Sequence, residues 1–234
     1  MPIHAYTNWN VRSTDKLDQI EPFRKYFFIC EGANTETFYF KKLIDLRKQL
    51  DIHPQIDIRL MEKTGEDHDI SYPKKLLEFA EKQKDNPTLE FDKDHDKMIL
   101  VFDADIFEEK VSGYDELIQT AEEHNLVGVT NPGFEVFLLL HISGFYENYV
   151  LGHEEQFLSK DDRGRFRYPY ELLLNLTGMN AKRNPRIGEL AENILVAIDQ
   201  EKNINSNIHD VKGKLTSNLA SIIEMIIKDK PKKI

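Results

Sequence analysis

Two unbroken apolar runs, Tyr26-Phe27-Phe28-Ile29-Cys30 and Met98-Ile99-Leu100-Val101-Phe102, constrain what this chain can fold into more than any other feature. Successive side chains of a strand point to opposite faces, so a run without polar gaps demands a sheet covered on both sides. The two runs also end alike, at Glu31 and at Asp103. Between and after them the pattern alternates. Asn34 or Thr35 can cap a helix whose stripe includes Phe40, Leu43, Ile44 and Leu50. Gln55 to Glu62 alternates Ile56, Ile58 and Leu60 with polar residues, as a strand nearer a sheet edge does. Pro73 opens a helix running to about Lys84, and a helix from Tyr114 to His124 leads into a strand from Leu126 to Thr130, broken at Asn131-Pro132-Gly133. This order predicts an α/β fold with a largely parallel sheet flanked by helices.

Phe134 to Ile142 reads as a buried helix. Beyond it no strand is predicted, while 170–176, 186–203 and 210–228 carry helical patterns. The expected organisation is an N-terminal arm over 1–24, an α/β domain over 25–150 and a C-terminal α-helical extension over 151–234. The basic end, Lys228 to Lys233, reads as a solvated terminus. The longest apolar stretch, Val136 to Ile142, is far shorter than the roughly 20 residues that span a bilayer. The start of the chain lacks a basic segment followed by an apolar one, so the expectation is a cytoplasmic protein with no membrane partner. A single cysteine, Cys30, cannot close an internal disulfide and reads as a buried thiol. The net charge of −10 opposes broad attraction to nucleic-acid phosphates, unless bound cations or a partner reverse the local field.

In a parallel sheet, ligands gather beyond the carboxyl ends of the strands. Asp103 and Asp105 are two residues apart, so in extended backbone both side chains point the same way. Such a pair of hard oxygen ligands suits Mg²⁺ or Mn²⁺, and it equally suits the capping of a loop. Glu31 can add a ligand or move protons. Glu135 falls in the first turn of an otherwise apolar helix, where it serves either the helix dipole or the site. His141, on the same helix, reads as a hydrogen-bonded core residue rather than a ligand.

Ile29-Cys30-Glu31-Gly32 with Thr35-Glu36 and Tyr39-Phe40, then Val101-Phe102-Asp103-Ala104-Asp105, then Asn131-Pro132-Gly133-Phe134-Glu135 with Leu138-Leu139-Leu140-His141, together resemble the RloB-like family of bacterial and archaeal proteins over about residues 25–145. That family is similar to the Toprim fold, a Rossmann-like α/β sheet shared by topoisomerases, primases and overcoming-lysogenisation-defect nucleases. The resemblance implies metal-dependent phosphodiester chemistry. Glu31 would be a metal ligand or general acid/base, Asp103 and Asp105 metal ligands, and Glu135 part of a second metal position. It also implies a nucleic acid substrate, DNA or RNA, and a partner ATPase of the ABC or AAA class in phage defence and abortive infection.

Lys160, Arg163, Arg165 and Arg167, with Lys182, Arg183 and Arg186 further on, make the one basic stretch suited to such a substrate. Tyr168 and Tyr170 lie among them as stacking candidates, while Asp161, Asp162 and Glu171 balance the charge as in an ordinary solvated loop. Lys182 is the candidate for stabilising the charged transition state. No P-loop, Gly-x-Ser-x-Gly elbow or His-Glu-x-x-His motif is present. The competing expectation is a non-catalytic Toprim-shaped module that binds an ATPase or nucleic acid. Self-association into a homo-oligomer stays open.

Overall fold

The structure, a computed structural model, describes residues 4–7, 22–62, 72–105 and 113–231. Six strands form one sheet: β1 (His4–Tyr6), β2 (Arg24–Cys30), β3 (Ile56–Glu62), β4 (Lys97–Asp103), β5 (Leu126–Asn131) and β6 (Thr216–Ser217). Their spatial order is β1-β3-β2-β4-β5-β6. The four central strands run parallel, and the two edge strands are antiparallel to their neighbours.

The apolar runs behave as their lack of polar gaps requires. Phe28, Cys30, Ile99 and Val101 face one side of the sheet, where they meet α1 (Thr35–Asp45), α4 (Phe134–Leu139) and the C-terminal helices. Phe27, Ile29, Met98, Leu100 and Phe102 face the other, under α2 (Pro73–Lys84) and α3 (Tyr114–Glu122). Each crossover helix thus seals one face. Burying a large apolar side chain fully is worth about 1.5–3 kcal/mol, and these strands bury one at nearly every position. The thiol of Cys30 is buried with them.

Residues after Ile142 continue the same core. They form a π-helical turn (Tyr146–Val150), α5 (Glu154–Leu158), α6 (Tyr168–Thr177), a 3₁₀ helix (Pro185–Asn193), α7 (Ile194–Glu201) and α8 (Leu219–Lys228). Leu173, Ile187, Ile194 and Ile223 pack into one cluster with Phe28 and Val101. Buried Gln200 donates to the carbonyls of Leu140 and Ile142 and accepts from the Tyr146 amide, which pins the turn after α4 to α7. Gly188 allows the 3₁₀ helix to press on α1, since a β-carbon there would lie 2.4 Å from the Phe38 carbonyl oxygen.

Three expectations need correction. The segment 210–228 is helical only from Leu219; before it come a loop, with Gly213 at φ +67°, and β6. The region beyond 150 therefore does contain a strand. It is too short for any periodicity, and it is held by tertiary bonds: Asn131 donates to the carbonyls of Val211 and Lys214, and the Asn218 side chain extends the β5 ladder by pairing with the Val129 amide and the Val127 carbonyl. The third concerns the N-terminal arm, which contributes an edge strand at His4–Tyr6; residues 8–21 of it lie outside the described residues. So do residues 63–71. Among the described residues no helix is long and apolar enough to cross a membrane.

Candidate functional site

The chain leaves β2 through α1 to β3 on one side, then returns through α2 to β4 on the other side of β2. The connections on the two sides of the β2–β4 pair therefore diverge, which opens a crevice beyond the carboxyl ends of these strands. Glu31 and Asp103 stand at that point. The registers of β2 and β4 put Cys30 beside Val101, so Glu31 sits one step beyond the ladder, its amide donating to the Val101 carbonyl at 2.8 Å. The Glu31 Oε2 in turn accepts the Asp103 amide at 3.3 Å.

The crevice is a cleft of about 790 Å³. Glu31, Glu36, Asp103, Asp105 and Glu135 line it from the strand ends and the helix starts, while Arg165, Arg167 and Lys182 line it from the C-terminal half. All five site candidates named from the sequence, Glu31, Asp103, Asp105, Glu135 and Lys182, thus face one space. Lys182 reaches it because the Thr35 hydroxyl at the start of α1 donates to the Ala181 carbonyl. No spacing in the sequence announces that contact.

Glu36 is the residue that sequence reasoning left out of the site. Its carboxylate folds back over Gly32, within 2.1 Å of where a β-carbon would stand, so a larger residue there would displace the Glu36 carboxylate from this position. The available signal was its place five residues after Glu31, in the first turn of the helix that the strand feeds. A similar close approach occurs at Gly133, where a β-carbon would be 3.0 Å from the Glu135 carboxylate and 3.6 Å from that of Asp103. The tight Asn131-Pro132-Gly133 turn thereby brings Glu135 and Asp103 together.

This crowding has an electrostatic consequence. Burial, then the charges of Glu36, Glu135 and Glu31, push the Asp103 carboxyl well above the ordinary range, against a hydrogen bond from the Thr130 hydroxyl that favours its ionised form. A cation would relieve that repulsion. Among the described residues no three His, Cys, Asp or Glu side chains are grouped closely enough to hold a metal ion by themselves. Mg²⁺ needs only one or two protein carboxylates, with waters and substrate phosphates completing its shell. The donors here are all carboxylate oxygens, so the set fits Mg²⁺ or Mn²⁺ and lacks the nitrogen and sulfur donors that softer ions prefer.

The basic rim is an ordered loop. Asp161 accepts the amides of Arg163 and Arg165 and pairs with the Arg165 guanidinium, and Arg167 pairs with Glu171. The balancing acids expected from the sequence are therefore present, yet the two arginines still line the cleft. Of the two stacking candidates, Tyr168 is used in packing, edge-on to Phe157 at 4.9 Å, whereas Tyr170 lines the cleft. His141 is a core residue: its Nδ1 bonds the Phe137 carbonyl, its Nε2 accepts the Tyr39 hydroxyl at 2.9 Å, and burial pulls its pKa down to about 4.

The family model described as RloB-like protein matches residues 26–228. The chain belongs to the RloB-like family. No curated protein matches it, and no solved structure does. The family match runs past the motifs between 25 and 145 and takes in the loop bearing Arg165, Arg167 and Tyr170 together with Lys182. In this RloB-like chain both halves of the cleft, acidic and basic, therefore fall within the matched region.

Proposed function

We propose that this protein is a Toprim-type, divalent-metal-dependent phosphodiesterase acting on nucleic acid. The observation that carries the reading is the two-sided cleft: carboxylates at the ends of β2 and β4, where the strand order reverses, opposite a rim of Arg165, Arg167 and Lys182. Phosphodiester cleavage needs both signs of charge. Cations on the protein hold the phosphate and stabilise the charge that grows on it, and carboxylates hold the metal and accept protons.

Asp103 and Asp105 would hold a Mg²⁺ or Mn²⁺ ion, with waters and the substrate phosphate completing its shell and Glu135 at a second position. When bound, such an ion polarises a phosphoryl oxygen and makes hydroxide available near neutral pH. The chain supplies the rest. The Asp103 amide fixes the Glu31 carboxylate, which is thereby placed to take a proton from an attacking water. The Thr130 hydroxyl orients the Asp103 carboxylate. Lys182, which has no ion-pair partner among the described residues, is available to the non-bridging oxygens of the phosphate.

Action in phage defence beside an ABC or AAA ATPase follows from the family resemblance. It also accounts for how a chain of net charge −10 meets a polyanion, since the partner would supply the positive surface. That same charge favours the second reading, a Toprim-shaped module that binds its ATPase or nucleic acid without cutting. The deciding experiment is Mg²⁺- and Mn²⁺-dependent cleavage of plasmid, single-stranded DNA and total transfer RNA by the purified chain, with and without the ATPase, beside Asp103→Ala. Cleavage lost in a folded Asp103→Ala supports the nuclease. No cleavage in any combination moves the assignment to the binding module.

A further inference from the structure

Phe166 and Tyr170 both line the cleft beside Arg165, Arg167 and Lys182, and both are only half-buried. One face of Phe166 carries the Lys160 ammonium at 4.8 Å. Tyr170 has neither a ring contact nor a hydrogen bond to its hydroxyl among the described residues, although the other aromatic of the same helix turn, Tyr168, is packed against Phe157. An aromatic ring held at a cleft wall by a helix, its hydroxyl open to the cleft, presents both an apolar face and a polar tip to whatever enters.

Three further facts bear on what it meets. The cleft, at about 790 Å³, is of the size that encloses a small ligand, enough for one or two nucleotides rather than a length of duplex. Two of its three cations already share their charge with Asp161 and Glu171, so phosphate attraction alone is weak. In a duplex, moreover, base faces are stacked on one another and closed to side chains, whereas unpaired nucleotides expose them.

We propose that Phe166 and Tyr170 form a stacking platform that selects an unpaired nucleotide, in a single strand or a loop, and sets the adjoining phosphodiester between Lys182 and the strand-end carboxylates. The inference rests on the reading of this cleft as a phosphodiester site and names its substrate class. Stacking supplies the affinity that an acidic chain lacks, and it is indifferent to base identity because every base has a π face.

The test is equilibrium binding of the full chain to fluorescent strands, by anisotropy, with Ca²⁺ in place of Mg²⁺ so that binding is read apart from cleavage. Deoxy and ribo strands of one sequence are compared with their duplexes and with strands carrying abasic sites. The expected result is tighter binding of single strands than of duplex or abasic strands. Loss of one stack should weaken single-strand binding by about 5- to 100-fold in Tyr170→Leu and in Phe166→Leu, while Tyr170→Phe retains it and abasic strands bind all variants alike. Phe166 lies in a surface loop, so its variant keeps the test valid should Tyr170→Leu unfold. Equal binding of single strand and duplex, indifference to the bases, or no binding at all overturns the platform. The two readings fail separately: base-dependent binding without metal-dependent cleavage keeps the platform and removes the nuclease, and cleavage of duplex and single strand alike does the reverse. The deoxy and ribo arms show which polynucleotide is preferred.

Discussion

Replacing Asp103 by Asn should stabilise the metal-free protein while abolishing its response to Mg²⁺. Burial is the first cost to an ionised Asp103; beyond it, carboxylate oxygens of Asp103 and Glu135 both lie within 3.6 Å of one point beside Gly133, and the charges of Glu36 and Glu31 add to the repulsion. Unit charges roughly 6 Å apart repel by about 2–3 kcal/mol at an effective dielectric near 20. The hydrogen bond from Thr130 is about 1 kcal/mol stronger to a carboxylate than to the neutral oxygen that Asn offers it, and this difference offsets part of the gain. A net gain of about 1–2 kcal/mol follows, or roughly 2–8 °C in Tm for a chain of this size. The pH dependence has a definite sign. In the unfolded chain the carboxyl ionises near pH 4, whereas the folded protein holds its proton to higher pH. Below about pH 4 the group is neutral in both states and costs nothing; as pH rises through the folded value the wild type loses stability that Asp103→Asn keeps. With Mg²⁺ at about 100 times its Kd, binding would return about 2.7 kcal/mol to the wild type alone and reverse the order. Thermal melts of both proteins from about pH 4 to pH 8, with chelator and with Mg²⁺, read all of this. An Asp103→Asn protein that melts at or below the wild type at neutral pH in chelator would refute the argument from crowded carboxylates.

Lys182→Ala should lower the cleavage rate by about 10²- to 10³-fold if it stabilises the transition state, with stability unchanged within about 0.5 kcal/mol because the side chain is exposed and makes no ion pair among the described residues; single-turnover kinetics and urea unfolding measure the two. Gly188→Ala should cost about 1–3 kcal/mol in urea unfolding, since the added carbon meets a backbone carbonyl that cannot swing away. His141, held neutral with its pKa pulled down to about 4, takes up a proton only on unfolding near pH 6, so the wild type should lose about 3 kcal/mol between about pH 7 and pH 4. His141→Gln cannot titrate and should remove that part of the slope, as unfolding curves across the window will show.

What the sequence alone makes legible follows from the range of the forces involved. Continuous apolar runs at β2 and β4, Pro73 at the start of α2 and the break at Asn131-Pro132-Gly133 are local patterns, and each element appears where its pattern lies. The acids at the ends of those strands were equally legible, because a strand that stops at its carboxyl end delivers the next side chain to one edge of the sheet. What only the tertiary structure decided joins residues far apart in sequence. Lys182 enters the cleft through the contact of its neighbour Ala181 with α1, Tyr170 through the packing of α6 on α4, β6 forms where Asn131 and Asn218 tie down the passing chain, and Glu36 joins the carboxylates by folding over Gly32. None of these leaves a period in the sequence, because each rests on a few particular contacts rather than on a repeating pattern. The amino-acid pattern thus determined where an acidic edge would form, and long-range packing decided which cations and aromatic rings would face it.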